Sequence, residues 1–223
     1  MKELEQIKKL AEIPMTDDKA TKRVEIIMLK FKEDWKVIGE SIRRIIESTT
    51  YPYKLTVFDN RLNTANTSRA WNKLVKESTC EYVCLIDSDS FVPEGIEPCW
   101  LGRMMESIDE TGLVIPVSDV GGGQGQHIGK QEEYPNKVVN RGIWSGYCFL
   151  FKKSLYERLG PFDERFYLYG QDSEWAHRSK KTGGAIMRKD VLVRHMGGYS
   201  MEKNADREAD KIYARKLFVY LTQ

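Results

Sequence analysis

The 223-residue sequence lacks the features that define several protein classes. No apolar stretch approaches the length of a membrane-spanning helix, about 20 residues, and the charged N-terminus does not resemble a secretory signal peptide. The four cysteines form no CxxC pair, so we interpret them as small buried hydrophobic residues in a reducing compartment, not as a zinc site or a disulfide framework. We therefore expect a soluble, cytoplasmic protein without an integral membrane segment.

The sequence also has little net charge and neither of the common glycine-rich nucleotide motifs. Its 35 basic and 33 acidic residues leave a formal charge of +2, which commits it to neither nucleic acid nor an anionic membrane. Basic pairs such as Lys22-Arg23 and Lys180-Lys181 are interpreted as solvated helix faces. Without GxGxxG or GxxxxGK(S/T), a dinucleotide-binding domain or a P-loop has no motif support.

Apolar runs alternate regularly with helical spacing in the first half of the chain. Residues 24–29, 55–58 and 82–86 are short apolar runs typical of buried strands. Between them, positions 35–46 and 66–75 carry apolar residues every three or four positions, which predicts helices. This β-α-β-α-β order predicts an α/β fold with a parallel sheet and right-handed crossovers.

The remainder is predicted to complete one domain spanning residues 1–223. We expect an N-terminal helix or loose arm over residues 1–20 and an amphipathic helix packed on the body over residues 202–220. The glycine-rich segment 121–140 is either a mobile loop over a site or a disordered surface insertion. The other predicted elements are a helix from Pro93 to about Ile108, strands at 113–117, 147–151 and 191–193, and helices at 154–159 and 172–182.

Two aspartates follow the third predicted strand, with Ser88 between Asp87 and Asp89. Two carboxylates beside a buried strand are costly unless a cation meets them. Ligands of open α/β sheets bind beyond the carboxyl ends of the strands, and hard divalent cations there bind carboxylate and phosphate oxygens. The segment indicates either a Mg²⁺ or Mn²⁺ site with a phosphate-bearing ligand or an ordinary polar turn.

Four ordered segments carry a resemblance to a known family. They are Val-Phe-Asp-Asn at 57–60, an S-x-A-x-N pattern at 68–72, the Asp-x-Asp of 87–89, and a long segment from Gly160 to His195. The long segment is the most specific, with Gly-Pro-Phe-Asp-Glu-Arg-Phe at 160–166, Tyr-Gly-Gln-Asp-Ser-Glu-Trp at 169–175, then Arg178 and His195. Together they resemble the GT-A-fold glycosyltransferases of family 2, which are rhamnosyltransferase-like, inverting nucleotide-sugar transferases.

The resemblance implies a fold and a set of roles. The implied fold is a Rossmann-like, mostly parallel central sheet flanked by helices on both faces. The implied reaction moves a sugar from a nucleoside-diphosphate sugar to a hydroxyl group. The implied site residues are Asp59, Asn60, Asn72, Asp87 and Ser88 for the donor, Asp89 and His195 for Mn²⁺ or Mg²⁺, and Asp172 as the catalytic base.

Asp172 stands at the start of a predicted helix, where the helix dipole favours the ionised carboxylate. An ionised Asp172 can accept the proton of an acceptor hydroxyl. From the residues alone, an ordinary N-terminal helix acid is the favoured interpretation, whereas the family pattern favours the base.

The sequence departs from the family pattern beside this base. Gln171 replaces a glutamate and Glu174 replaces an aspartate, and both are candidate acceptor contacts. Trp144 and Tyr169 are further candidates, because an aromatic ring stacks on a sugar face as readily as it fills a core.

The leading hypothesis is therefore a metal-dependent, inverting glycosyltransferase. Its acceptor is expected to be a glycan or a lipid-linked glycan, with a hydroxylated base in DNA as a less usual alternative. Two other hypotheses remain open. One is a sugar nucleotidyltransferase, although no glycine-rich basic loop follows the first strand. The other is a catalytically degenerate module that binds a sugar nucleotide or glycan.

Overall fold

The computed structural model describes residues 22–30, 35–60, 66–120, 126–127, 137–197 and 207–222. The predicted helix or arm at 1–20 lies outside the described residues, as does most of segment 121–136. Within the described ranges, no helix is long and apolar enough to cross a bilayer.

The described residues contain nine strands, seven of which form one sheet. They are β1 Val24–Lys30, β2 Tyr53–Asp59, β3 Tyr82–Asp87, β4 Ser90–Phe91, β5 Leu113–Val117, β6 Lys137–Asn140, β7 Cys148–Lys152, β8 Ala185–Leu192 and β9 Arg194–His195. The sheet order is β2-β1-β3-β7-β5-β8-β6, and β4 pairs with β9 in a separate ribbon. Strands β7 and β6 run against their neighbours, while the other five share one direction. The mostly parallel sheet is thus confirmed.

Helices lie on both faces of this sheet, as the predicted α/β architecture requires. They are α1 Trp35–Ser48, α2 Thr67–Glu77, α3 Trp100–Met105, α4 Ile108–Thr111, α5 Lys153–Leu159, α6 Gln171–Ser179 and α7 Arg207–Thr222, with a 3-10 turn at Lys180–Thr182. Side chains alternate along β1: Ile26 packs in the core with Ile42 of α1, and Ile27 in the opposite core with Trp71 of α2. All four cysteines are free and buried in these layers, as expected.

The helix predicted from Pro93 is wrong in its first turns. The chain is irregular up to Cys99, whose Sγ accepts the N–H of Gly102 at the start of α3. Pro98 supplies the physical reason, since proline inside a helix removes a hydrogen bond and clashes with the preceding turn.

Two strands differ from the sequence prediction. Strand β8 is longer than predicted, and strand β6 was not predicted at all. Strand β8 begins at Ala185 instead of 191, because its charged residue Arg188 is buried and pairs with the partly exposed Asp190 at 2.7 Å. Strand β6 occupies the end of the segment predicted to be a loop, and pairs with β8. A charged or polar strand has no apolar run to reveal it.

The predicted C-terminal helix is present as α7. Its Phe218 ring contacts the His177 ring of α6 at a centroid distance of 6.1 Å, and Ala214 is buried. The side chain of Asp210 accepts the N–H of Leu168. Helix α7 therefore braces the loop that leads into α6.

Candidate active site

Asp87, Asp89 and His195 form a cluster in which the candidate ligand atoms lie within 4.8 Å of one another. His195 Nε2 is 3.3 Å from Asp89 Oδ1 and 3.7 Å from Asp87 Oδ2. The Asp89 side chain is 3% exposed, whereas that of Asp87 is 41% exposed. The cluster thus has a buried side and a side open to solvent, from which a ligand can approach.

The small β4–β9 ribbon brings these distant residues together. It pairs Ser90 with His195, and the N–H of Met196 donates to the carbonyl of Asp89 at 3.2 Å. The backbone N–H of His195 donates to Asp119 Oδ1 at 3.3 Å. His195 is therefore fixed from both sides before any ligand arrives.

Charge at this cluster is unbalanced toward the negative. Burial lowers the pKa of His195. The hydrogen bond to Asp89 and the charges of Asp87, Asp89 and Asp119 raise it by more than burial lowers it, so the net pKa is above its ordinary value. Even with one imidazolium, the two aspartates of the cluster leave an excess negative charge. Carboxylate oxygens and an imidazole nitrogen suit a divalent cation such as Mn²⁺, so the residues present fit a metal.

The residues predicted for the donor divide between the sheet edge and the protein interior. Asp59 is exposed at the end of β2, and Asn60 and Ser88 are buried. Leu29 of β1 pairs with Phe58 on one side and with Asp87 on the other. Because strands lie about 4.8 Å apart, this register places Asp59 and Asp87 at the same sheet end, roughly 10 Å apart.

Asp172 is the second residue of α6, and backbone N–H groups hydrogen-bond its carboxylate. Its Oδ2 accepts the N–H of Gly146 at 2.7 Å, and its Oδ1 accepts the N–H of Ser173 at 2.7 Å. Burial raises the pKa of Asp172, and these backbone hydrogen bonds, which lower it, only partly offset that effect. The backbone donors thus act on the pKa in the direction expected of a helix N-terminus, but burial outweighs them.

One segment, Ser145–Gly146–Tyr147, connects Asp172 with the Asp87, Asp89 and His195 cluster, and we call it the bridging segment. Gly146 holds Asp172, while the next ring, Tyr147, stacks on His195 at 5.3 Å and 18°. The Tyr147 carbonyl also accepts the N–H of Asp87 at 2.8 Å. Two adjacent residues of this segment, Gly146 and Tyr147, thus contact both candidate centres.

Gly146 has a packing requirement of its own. A β-carbon at this position would lie 2.7 Å from Cβ of Asp172, closer than real side chains approach. Only glycine lets the backbone come near enough to donate to Asp172.

The S-x-A-x-N residues bind the loop that precedes Asp172. The Asn72 amide donates to the Phe162 carbonyl at 2.9 Å and accepts the Phe162 N–H at 2.9 Å and the Tyr156 hydroxyl at 2.8 Å. Ser68 Oγ donates to the Phe166 carbonyl at 3.2 Å. Asn72, predicted to bind the donor, is 3% exposed, and these bonds give it a role in shaping the loop.

Arg178 secures the same loop from the other side. Its guanidinium donates to the carbonyls of Leu159 and Pro161 at 2.6 and 2.9 Å, and pairs with Glu174 at 2.6 Å. The S-x-A-x-N residues and Arg178 therefore hold the same loop from two sides. This loop leads to α6 and so sets the position of Asp172.

Three of the four predicted acceptor contacts flank Asp172 in the chain, the fourth is Trp144, and the four differ in exposure. Trp144 is 1% exposed and packs 5.0 Å from the Phe149 ring, so the described conformation gives it a core position. Glu174 pairs with Arg178, and buried Gln171 donates to the Leu168 carbonyl at 3.3 Å. Tyr169 is half-buried, with Lys211 of α7 above its ring at 5.5 Å.

The sequence did not reveal Gly146, Tyr147 or Asp119 as residues that contact the candidate site. Gly146 acts through its backbone, which no side-chain motif reports. Tyr147 begins an apolar run and Asp119 follows one, as ordinary residues at strand ends do. A glycine just before a predicted strand, two positions after a tryptophan, was the one available signal.

Solved structures of similar shape include GalNAc-T7 with UDP, GalNAc and Mn²⁺, with a TM-score of 0.61, 12% identity, and coverage of 80% of this chain and 44% of that chain. The mannosyltransferase PcManGT from Pyrobaculum calidifontis, in complex with GDP-Man and Mn²⁺, gives a TM-score of 0.61, 20% identity, and coverage of 93% and 66%. S. aureus TarS 1–349 gives 0.59, 14%, and coverage of 86% and 69%. At such identities the likeness shows the fold.

The sheet, its flanking helices and the acidic cluster beyond β3 place the protein in the GT-A class of folds. The family model described as Glycosyl transferase family 2 matches residues 4–175, which is more than half of the chain. This chain belongs to glycosyl transferase family 2. It spans 44% and 66% of the lengths of the first two similar structures. No curated protein matches the sequence.

Proposed function

We propose that the protein is a metal-dependent, inverting glycosyltransferase that moves a sugar from a nucleoside-diphosphate sugar to a hydroxyl acceptor. The observation that carries this proposal is the bridging segment. It contacts both Asp172 and the Asp87, Asp89 and His195 cluster, so a candidate cation-binding centre and a carboxylate are held by two adjacent residues.

The donor end of the proposal uses the register of the sheet. Asp59 and Asn60 at the end of β2 are proposed to contact the base or ribose, and Asp87 and Ser88 the ribose and diphosphate. The spacing of roughly 10 Å between Asp59 and Asp87 suits the reach of a nucleotide from base to phosphate. We assign Asn72 an indirect donor role through the loop that it holds.

Asp89 and His195, with Asp87 beside them, are proposed to hold Mn²⁺ or Mg²⁺. When bound, a divalent cation neutralises the negative charge that develops on the departing diphosphate. GalNAc-T7 with UDP and Mn²⁺ and PcManGT with GDP-Man and Mn²⁺ each combine a nucleotide with Mn²⁺, which supports this choice of ligand.

Asp172 is proposed as the general base. Its carboxylate removes the proton of the acceptor hydroxyl as the hydroxyl oxygen attacks the sugar carbon and the bond to the diphosphate breaks. One displacement from the face opposite the leaving group inverts the anomeric configuration. The donors Gly146 and Ser173 fix the carboxylate, so it needs no reorganisation during the reaction.

The acceptor is proposed to be a glycan that approaches along α6, beside Tyr169, Gln171 and Glu174. Trp144 lies under this surface and is proposed to support it, since its ring is enclosed. Transfer to DNA that contains hydroxylated bases is the alternative acceptor to include in any panel.

The test measures nucleoside diphosphate release from a panel of nucleotide sugars, with and without Mn²⁺, in the presence of glycan, lipid-linked glycan and hydroxymethylated DNA acceptors. We expect metal-dependent release with one donor and a product of inverted configuration by NMR. A retained configuration refutes inversion. Pyrophosphate release from a nucleoside triphosphate and a sugar phosphate instead assigns a nucleotidyltransferase. Metal-dependent binding of a nucleotide sugar without turnover assigns a binding module.

A further inference from the structure

Gln126 belongs to the glycine-rich segment, yet its side chain is completely buried. Its Nε2 donates to the carbonyls of Pro116 at 3.1 Å and Ser145 at 3.4 Å, and its Oε1 accepts the N–H of Ser145 at 2.9 Å. The nitrogen and the oxygen of the side-chain amide are therefore both hydrogen-bonded to backbone groups. A buried amide with all these partners is costly to replace, because the partners would lose their hydrogen bonds without gaining water.

The backbone of Gln126 is itself anchored. Its carbonyl accepts the N–H of Ser118 at 2.8 Å, just beyond the end of β5, and His127 forms a bridge with the same residue. Gln126 is thus a fixed point from which its amide reaches the bridging segment.

The peptide group between Ser145 and Gly146 is bonded on both sides. Its carbonyl accepts from Gln126 Nε2, and its N–H donates to Oδ2 of Asp172 at 2.7 Å. A trans peptide is planar, and its C=O and N–H point in opposite directions. A donor that fixes the direction of the carbonyl therefore also fixes the direction of the N–H that holds Asp172.

The metal side of the bridging segment depends on Gln126 only in part. The Tyr147 hydroxyl donates to the Pro116 carbonyl at 2.9 Å, and this carbonyl also accepts from Gln126 Nε2. The Tyr147 carbonyl accepts the N–H of Asp87, and the β4–β9 ribbon and Asp119 hold His195, all without Gln126. Loss of the Gln126 amide should therefore disturb Asp172 more than the cluster at Asp89.

We propose that Gln126 is a positioning residue, which sets the orientation of the Ser145–Gly146 peptide and thereby the place of the Asp172 carboxylate. The kinetic consequence rests on the proposed function, in which Asp172 is the base. The geometric consequence does not, and it is measurable in a protein without turnover.

The test variant is Gln126→Met, which keeps the length of the side chain and removes its polar atoms. The matched control is Thr49→Val, which removes the buried acceptor of Trp100 Nε1, a 2.8 Å hydrogen bond outside the candidate site. Both variants leave buried backbone or side-chain donors unpaired, so both should lower the melting temperature. Gln126→Glu keeps the acceptor for Ser145 N–H and loses the donor to its carbonyl, and it serves if the methionine variant does not fold.

The geometric readout is the amide proton of Gly146. Residues 145–146 are the only Ser-Gly pair in the sequence, so ¹³C-serine and ¹⁵N-glycine labelling isolates this one amide signal. We expect a downfield proton shift in the wild type and in Thr49→Val, as a hydrogen bond to a carboxylate produces, and an upfield move in Gln126→Met. An unchanged Gly146 signal in the Gln126 variants overturns the proposal.

The kinetic readout separates positioning from general damage. We expect kcat of Gln126→Met to fall roughly 10-fold to 100-fold, because small misplacements of a reacting group have effects of that size. The donor KM and the Mn²⁺ affinity should stay within about twofold. A fall in kcat no greater than that of Thr49→Val, or a parallel loss of Mn²⁺ binding, contradicts the proposal. If the wild type transfers no sugar, the proposed function fails and the Gly146 signal still decides the role of Gln126.

Discussion

The cluster at Asp89 and the carboxylate of Asp172 lie on either side of the bridging segment and are built in opposite ways. At the cluster, Asp87 and Asp89 face one imidazole, and excess negative charge remains. Asp172 instead accepts from the neutral N–H groups of Gly146 and Ser173, and burial raises its pKa. The first arrangement attracts a cation, whereas the second fixes a carboxylate with a heightened affinity for a proton. We therefore expect substitutions on the two sides to impair different properties, metal-dependent donor binding at the cluster and kcat at Asp172.

The largest effect is expected from Asp89→Asn on the charged side. Loss of a buried ligand removes the electrostatic stabilisation of the leaving group, about 5 kcal/mol, which corresponds to roughly 10⁴-fold in kcat/KM. Mn²⁺-dependent donor binding should disappear with it, as measured by titration calorimetry. The control is Asp109→Asn, which removes an exposed acid paired with Lys22 and Lys152. Normal donor binding by Asp89→Asn contradicts the assignment of Asp89 to the metal.

Asp172→Asn should give the next largest effect, on the neutral side. Removing a general base costs about 10³-fold in kcat, while the asparagine oxygen still accepts the Gly146 N–H. Donor affinity and Mn²⁺ affinity should stay within about threefold of the wild type. Stopped-flow or steady-state assays of sugar transfer measure the first quantity and calorimetry the second. Activity near the wild-type level in this variant removes Asp172 from the reaction.

Gly146→Ala tests the segment that joins the two sides. The new Cβ would sit 2.7 Å from Cβ of Asp172, so the carboxylate must move. We expect kcat to fall by about 10²-fold, the loss that a misplacement near 1 Å produces. The control is Gly39→Ala in α1, where a β-carbon meets nothing within 4 Å and a helical alanine stabilises by about 0.5–1 kcal/mol. Equal activity of the two variants would show that the close approach of Gly146 is dispensable.

The smallest expected effect is the pH dependence of stability at Asp172. Because burial raises its pKa above the ordinary 3.8, the folded protein binds this proton more tightly than the unfolded chain does. Ionisation of Asp172 therefore lowers the free energy of unfolding as the pH rises from about 3.8 through the raised pKa. Asp172→Asn does not titrate, so its stability relative to the wild type should increase across that window in urea unfolding series. A relative decrease would mean that the backbone donors outweigh burial.

The sequence predicted the charged side better than the neutral side, for a physical reason. Asp87, Asp89 and His195 carry their chemistry in side chains, and a run of apolar residues places the first two at a strand end. The hold on Asp172 depends on the N–H of Gly146, and any residue has such a group. Its use depends on the approach of two backbones that are far apart in the chain.

The fold shows the same division. Strands β1 to β3 and the helices between them follow apolar periodicity and were predicted almost to their ends. Strand β8 was missed over its charged half because Arg188 is satisfied by Asp190 of the same strand and by Glu106 and Ser107, which approach it only in the folded chain. Asn72 was assigned to the donor from its motif, whereas its contacts with Phe162 become visible only when the loop packs on α2.

The most direct test of this account compares nucleoside diphosphate binding by the wild type, Asp89→Asn and Asp172→Asn, with and without Mn²⁺, in one set of calorimetric titrations. We predict that the wild type and Asp172→Asn bind with similar affinity when Mn²⁺ is present, and that Asp89→Asn gains nothing from the metal. Binding that is independent of Mn²⁺ in all three proteins, or lost equally in both variants, would contradict the division of the site into a cation-binding side and a proton-accepting side.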